Sequence, residues 1–155
     1  MKYTFKEKRA IKKFVKMINP NYQVKFENSP FECDIEEEII YIGDKQFNYE
    51  GKMFMNWFTK EFDLCKDINW WLISLLHEIG HIETSTEELQ DERDLLYGTL
   101  KLAFDCGNYT VEEMNNAYFQ IPCEYQATWW GASWWLDHKQ ECQKLVNLLK
   151  LGVNW

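Results

Sequence analysis

Residues 67–81 read DINWWLISLLHEIGH, and this stretch determines the predicted fold and the predicted site. Its first ten residues are apolar on nearly all sides, which is typical of a helix buried in the middle of a domain. Asp67 is the predicted N-cap of that helix. The helix continues without a break into HEIGH at 77–81, so polar side chains enter a largely buried element. Buried polar groups need partners, and a metal ion is one that would satisfy them.

The HEIGH segment has the spacing of a metal-binding helix. His77 and His81 are four residues apart and project from one helix face, so both imidazoles can reach one ion at about 2.0–2.1 Å. Glu78 would lie beside the ion as general base, taking a proton from the attacking water and returning it to a leaving amine. A helix that merely carries two surface histidines is the alternative, and the apolar run before the motif disfavours it. We therefore expect one Zn²⁺ per chain.

A catalytic zinc ion normally has a third protein ligand, and two residues are candidates. His138 is one, and Glu124 is favoured because it opens a Trp-rich helix whose predicted first residue is a proline, in the segment PCEYQAT at 122–128. Glu124 could instead be a charge favoured by the helix dipole. Ala127 is small enough to let the two helices pack closely, and Thr128 could hold a ligand in place.

Hydrophobic periodicity elsewhere predicts a single α+β domain over residues 1–155. Helices are predicted at 4–18, 87–105, 110–118, 122–137 and 138–150, and strands at 22–27, 35–42 and 46–49. Residues 52–62 fit either a helix or an edge segment. The strands come early and the helices late, which favours a small, about three-stranded sheet packed on a helix-rich half that contains the HEIGH helix.

Composition and charge exclude several classes of protein. With 155 residues, 46% hydrophobic and 17% aromatic, the chain can bury a core and is not a disordered protein. Residues 1–16 carry a net charge of +6 within a total of −8, so the remainder carries −14. Such an acidic body repels phosphate backbones, which makes nucleic acid an improbable partner. The basic first helix could touch an acidic partner, but a solvated helix face is the favoured interpretation.

The cysteines and the N-terminus indicate the cellular compartment. Five cysteines, an odd number without a CxxC pair, are typical of reduced, buried thiols rather than of a disulfide framework. The sequence contains neither a signal peptide nor an apolar stretch long enough to span a bilayer. We therefore expect a cytoplasmic protein that does not enter a membrane.

Two motifs resemble those of ImmA/IrrE-type gluzincin metallopeptidases. HEIGH at 77–81 and EYQAT at 124–128 are similar to the HExxH…ExxA pattern of that family, and the similarity extends to small phage-encoded single-domain relatives. The order of elements also agrees: an N-terminal helix, a small sheet, the metal helix and then the glutamate helix.

The resemblance implies a zincin-like fold and a zinc endopeptidase. In this family the matching positions make His77 and His81 zinc ligands, Glu78 the general base and Glu124 the third ligand. The implied substrate is a polypeptide, and several members act on repressor-type regulators in phage, mobile elements or stress responses.

The chain also departs from the family pattern. From His81 to Glu124 the chain advances 43 positions, more than is usual, which leaves room for an additional helical insertion at 87–118. Thr128 stands where relatives often carry Asn or Asp. The sequence has no helix-turn-helix module, so nothing in it would target a DNA-bound repressor.

The residue that stabilises the oxyanion is not identified by the motifs. Four residues near the glutamate helix are candidates by sequence position: Tyr118, Tyr125, Tyr97 and His138. An extended substrate would lie along the edge strand of the sheet, with its carbonyl polarised by zinc.

Two other functions have some support in the sequence. Nucleobase deaminases share an H-x-E…P-C-x-x-C signature, but Gln126 stands where the second cysteine is required, which excludes that chemistry. The second is a catalytically silent zincin-fold interaction protein that keeps the metal site and acts by binding a regulator or host partner. The variant Glu78→Gln would separate this function from proteolysis.

Overall fold

The computed structural model describes residues 3–27, 30–45 and 49–151. Within these residues the chain is α+β, as predicted, with seven α-helices and one three-stranded sheet. The elements are α1 (Phe5–Ile18), β1 (Gln23–Phe26), β2 (Glu32–Asp34), β3 (Ile39–Ile42), α2 (Tyr49–Glu61), a 3-10 turn (Asp63–Cys65), α3 (Trp70–Thr84), α4 (Glu87–Asp105), α5 (Val111–Phe119), α6 (Pro122–Asp137) and α7 (Lys139–Leu149).

The sheet has the strand order β1-β3-β2 and mixed pairing. β1 runs parallel to β3, with Gln23 opposite Ile39. β2 runs antiparallel to β3, with Cys33 opposite Ile40. Strand β3 is central and largely buried, as its β-branched sequence IIYI predicts. Strand β2 therefore forms an edge of the described sheet, and it packs beside α3.

The strand predicted at 35–42 begins only at Ile39. Residues 35–38 form a turn, in which Glu38 has a φ of 52° and the Glu37 N–H donates to Asp34 Oδ1 at 3.0 Å. The acidic, polar composition of this segment suits a turn better than a half-buried strand. Strand β2, which precedes the turn, was not predicted, because three residues are too few to show an alternating pattern.

The segment between the sheet and α3 also differs from the prediction. Most of the strand predicted at 46–49 lies outside the described residues, and its last residue, Tyr49, begins α2. Residues 52–61 of the undecided segment 52–62 belong to that helix, which ends at Glu61. The N-cap of α3 is Asn69 and not Asp67: the Asn69 side chain accepts the Trp71 N–H at 3.0 Å.

Helices α3 and α6 form the principal helix pair and bring their backbones unusually close together. A Cβ built on Gly80 would lie 2.3 Å from the Ala127 carbonyl oxygen, and one on Gly131 would lie 3.0 Å from Leu76 Cβ. Ala127, which was predicted to allow this close approach, lies at the contact and is 0% exposed. Every apolar side chain of α3 from Trp70 to Ile79 is buried, and Trp71, Ile73 and Leu75 are 0% exposed.

Two further predictions concern the cysteines and the membrane. Cys33, Cys65, Cys106, Cys123 and Cys142 are free cysteines. Cys65, Cys123 and Cys142 are buried as predicted, whereas Cys106 is exposed and Cys33 is only partly buried, so the prediction of buried thiols is wrong for these two. None of the helices in the described part of the chain has the length and apolar character needed to cross a membrane.

Candidate metal centre

His77, His81 and Glu124 come together at the contact between α3 and α6. The Nε2 atoms of the two imidazoles are 3.1 Å apart. Glu124 Oε2, from the first turn of α6, lies 3.2 Å from each of them. These three atoms form a nearly equilateral triangle, and the group could hold a metal ion. The sequence placed the histidines on one helix face; the approach of α6 adds the carboxylate.

The size of the triangle suits a divalent ion. Ligands about 2.0–2.1 Å from an ion lie about 3.3 Å apart in a tetrahedron and about 3.0 Å apart in an octahedron. The observed separations of 3.1 and 3.2 Å fall between these values. Two imidazoles and one carboxylate are a donor set used for Zn²⁺ and for other first-row metals. The residues present therefore fit a metal ion with coordination positions left over for water or substrate.

The surroundings of this group favour an ionised Glu124 carboxylate and a protonated His77 imidazole. Burial by itself would raise the pKa of Glu124, which is 1% exposed, but hydrogen bonds from His77 and His81 hold that pKa well below its usual range. Burial likewise opposes charge on His77, yet its hydrogen bond to Glu124 and the nearby Glu78 charge raise the pKa of this imidazole. A metal ion would take the place of the imidazolium proton.

Thr128 determines which nitrogen of His77 is free to bind a metal. Its hydroxyl donates to the Glu124 carbonyl oxygen at 2.9 Å, one turn earlier in α6. Having used its only hydrogen, the hydroxyl oxygen can only accept from His77 Nδ1, which lies 2.9 Å away. The imidazole is therefore protonated at Nδ1, which leaves Nε2 as the nitrogen that a metal ion can bind once it displaces the Nε2 proton shared with Glu124.

Arg93 also reaches the centre, although it belongs to none of the motifs in the sequence. Its Nε donates to Glu124 Oε1 at 3.1 Å, from the first half of α4. The Tyr118 hydroxyl, from α5, interacts with both Arg93 and Glu124. One feature of the sequence could have pointed to Arg93. The chain contains 15 lysines but only two arginines, and Arg93 lies in a run of acidic residues.

Glu78 is half-buried and faces a cleft of about 650 Å³ that is also lined by His77, His81 and Glu124. Burial raises the pKa of Glu78 above its usual range. The Cys33 thiol, on edge strand β2, lies near enough to interact with this carboxylate, a proximity that the sequence did not predict. The cleft is also lined by large apolar side chains: Phe31, Ile35, Phe54, Trp70 and Phe119.

The remaining sequence candidates lie elsewhere, with one exception. The Tyr125 ring packs 5.6 Å from the Phe62 ring and does not line the cleft. His138 caps the far end of α6, where its Nδ1 contacts the Trp134 carbonyl oxygen at 2.9 Å. Fourteen residues at 1.5 Å each separate it from Glu124 by about 20 Å along the helix. His138 is thus neither third ligand nor oxyanion donor, and Tyr125 is not a donor either.

Tyr118 is the candidate that does line the cleft. Tyr97 packs against the Tyr118 ring, with the two ring centroids 5.6 Å apart, and is not among the residues that line the cleft. Its side chain is 43% exposed. Of the four proposed oxyanion donors, only Tyr118 is therefore placed where it could face a substrate.

Comparison of the chain with protein-family models, with curated proteins and with solved structures finds no match in any of the three. The resemblance to gluzincin peptidases consequently stays a prediction that depends on two motifs and on the order of the elements.

Proposed function

We propose that this chain is a zinc-dependent endopeptidase of the gluzincin type, acting in the cytoplasm on a polypeptide such as a repressor-type regulator. The observation that supports this most strongly is the convergence of His77, His81 and Glu124 at 3.1–3.2 Å beside Glu78 in an open cleft. An ion held there by three protein ligands keeps room for a reacting molecule, which is the arrangement of catalytic and not of structural zinc sites.

The metal ion and Glu78 would have separate roles in peptide hydrolysis. When bound, zinc would supply a Lewis acid that polarises the carbonyl and makes water a better nucleophile. Glu78 accepts one proton from the attacking water as the new C–O bond forms. It then delivers that proton to the amine nitrogen as the C–N bond breaks. Burial raises the pKa of Glu78, which brings the carboxyl closer to the range in which it can both accept and release a proton.

The cleft suits an extended polypeptide. Within the described residues β2 pairs with β3 alone, so its other edge can receive a substrate strand. Glu32 and Cys33 of this strand line the same cleft as His77 and Glu78. The apolar side chains Phe54 and Phe119 would favour an apolar substrate residue near the scissile bond.

The variant Glu78→Gln tests the proposal. Purified wild type and variant are compared for metal content and for cleavage of unfolded casein and of a mixed peptide library, followed by mass spectrometry. We expect about one zinc per chain in both proteins. Cleavage should fall about 100-fold or more in the variant, because proton transfer is lost while the ligands remain. Glu88→Gln makes the same chemical change at an exposed site and should leave cleavage unaltered.

Other outcomes contradict the proposal in distinct ways. Equal cleavage by wild type and Glu78→Gln would point to a contaminating protease. In another outcome the wild type binds zinc and cleaves nothing, while Glu78→Gln keeps the biological effect of the wild type. That result would favour the catalytically silent interaction protein. Bound iron in place of zinc would indicate a 2-His-1-carboxylate oxygenase centre.

A further inference from the structure

The two oxygens of Glu124 have different partners. Oε2 lies 3.2 Å from each histidine Nε2. Oε1 points the other way: it accepts from Arg93 Nε at 3.1 Å and lies 3.9 Å from the Cys123 thiol. The carboxylate is only 2% exposed, so neither oxygen can exchange these partners for bulk water.

We infer that Arg93 is a positioning residue for the metal centre: its guanidinium holds Glu124 Oε1 so that Oε2 alone is presented to the ion. This inference depends on the proposed metal centre and names the group that sets its ligand geometry. A charge-assisted bond to a guanidinium is among the stronger interactions available to a carboxylate. It fixes the rotation of the carboxylate plane and keeps Glu124 monodentate, which preserves room on the ion for substrate.

The origin of Arg93 in the chain adds to the argument. Arg93 belongs to α4 and its partner Tyr118 to α5, and these two helices make up most of the segment 87–118 by which the chain exceeds the usual family spacing. Within α4, all of which the structure describes, no side chain is fully buried. Helix α4 therefore lacks the apolar anchor of a core helix, and its best-defined link to α6 is the contact between Arg93 and Glu124.

The expected cost of losing this contact is a weaker metal site. Groups that orient a metal ligand typically change the affinity for the ion by about 10–100-fold when they are removed. Arg93→Gln removes the charge and should weaken zinc binding within that range. Arg93→Lys keeps the charge but cannot reproduce the directed Nε contact, so its affinity should lie between those of Arg93→Gln and wild type.

The experiment measures zinc affinity by competition with a chromophoric chelator for wild type, Arg93→Gln, Arg93→Lys and Arg9→Gln. Arg9 is the other arginine of the chain; it is exposed on α1, so Arg9→Gln should bind zinc like wild type. The visible spectrum of bound Co²⁺ provides a second readout, because a bidentate Glu124 in Arg93→Gln would raise the coordination number. Arg93 is 46% exposed, so circular dichroism should show all variants folded.

Each result decides between the possibilities. Arg93→Gln with wild-type zinc affinity and an unchanged Co²⁺ spectrum would overturn the inference. A wild type that binds zinc but cleaves no polypeptide would contradict the proposed function and leave the role of Arg93 to be judged from the affinities. A wild type that binds none of Zn²⁺, Co²⁺, Mn²⁺ or Fe²⁺ would overturn both.

Discussion

Gly80 lies between His77 and His81, the two histidines of the candidate metal centre, at the point where α3 touches α6. A Cβ at this position would approach the Ala127 carbonyl oxygen to 2.3 Å and its Cα to 2.9 Å. Both are backbone atoms and cannot move aside like the end of a flexible side chain. The absence of a side chain at Gly80 is thus a requirement of packing, and it allows Glu124, three residues before Ala127, to reach the histidines.

Gly80→Ala should therefore destabilise the fold and weaken the metal site together. We expect a loss of about 3 kcal/mol in the free energy of unfolding, since the two helix backbones must separate. Urea unfolding followed by tryptophan fluorescence measures this loss. Gly98→Ala in α4 is the matched control: a Cβ there meets nothing within 4 Å. It should stabilise the protein by about 0.5–1 kcal/mol through helix propensity. Equal stability of the two variants would contradict this account of the helix contact.

In helix α1 one residue, Glu7, both caps the helix and connects it to a distant segment of the chain. Glu7 completes a capping box with Thr4 and also forms an ion pair with Lys45, whose side chain is 11% exposed. Burial tends to raise the pKa of Glu7, but the hydrogen bonds from Lys45 and Thr4 outweigh it and lower that pKa below its usual value. The charged carboxylate is thus favoured by folding.

Glu7→Gln should cost stability at neutral pH and little in acid. A depressed folded-state pKa contributes stability above the unfolded pKa, and that contribution is lost as the pH falls through the folded pKa. We expect wild type to exceed the variant by about 1 kcal/mol at pH 7, with the difference shrinking below about pH 4. Urea titrations at several pH values measure it.

Helix α5 provides the control for this experiment. It begins with the same capping box, formed by Thr110 and Glu113, but Glu113 is exposed and forms no lysine ion pair among the described residues. Glu113→Gln should therefore change stability less than Glu7→Gln. A cost for Glu7→Gln that does not vary with pH would show that the ion pair with Lys45 contributes nothing.

Metal binding should link the site to the stability of the entire domain, because the ligands come from two helices that form its core. A ligand that binds only the folded chain stabilises it by about 2.7 kcal/mol at a free concentration 100 times its Kd. Added zinc should raise the Tm, and the rise should be larger at pH 8 than at pH 6. The raised pKa of His77 means that protons compete with zinc over a wider range at low pH.

Differential scanning fluorimetry with and without zinc tests this linkage. His81→Ala removes one ligand and should abolish the shift in Tm. His138→Ala removes the third histidine of the chain, which lies at the other end of α6, and should retain the full shift. A zinc-induced shift that survives in His81→Ala would mean that the ion binds elsewhere on the molecule.

Local pattern alone predicted the α+β class, the bounds of α4 and α6, and the candidate ligands on α3 and α6. Helical periodicity over ten or more residues, and the i,i+4 spacing of His77 and His81, can be detected without knowing any contact. The predicted Glu124 ligand followed the same logic, since a single carboxylate entering an apolar helix requires a partner.

Other features were determined only when distant segments packed together. Strand β2 is three residues long and exists because β3 pairs with it. Arg93 and Cys33 lie 31 and 45 positions from the carboxylates that they contact, Glu124 and Glu78. Charge and hydrogen-bonding capacity are properties of a residue, but partners this far apart in sequence are selected by the approach of whole helices and strands. A pattern among neighbouring residues in the sequence cannot predict how distant helices and strands approach one another.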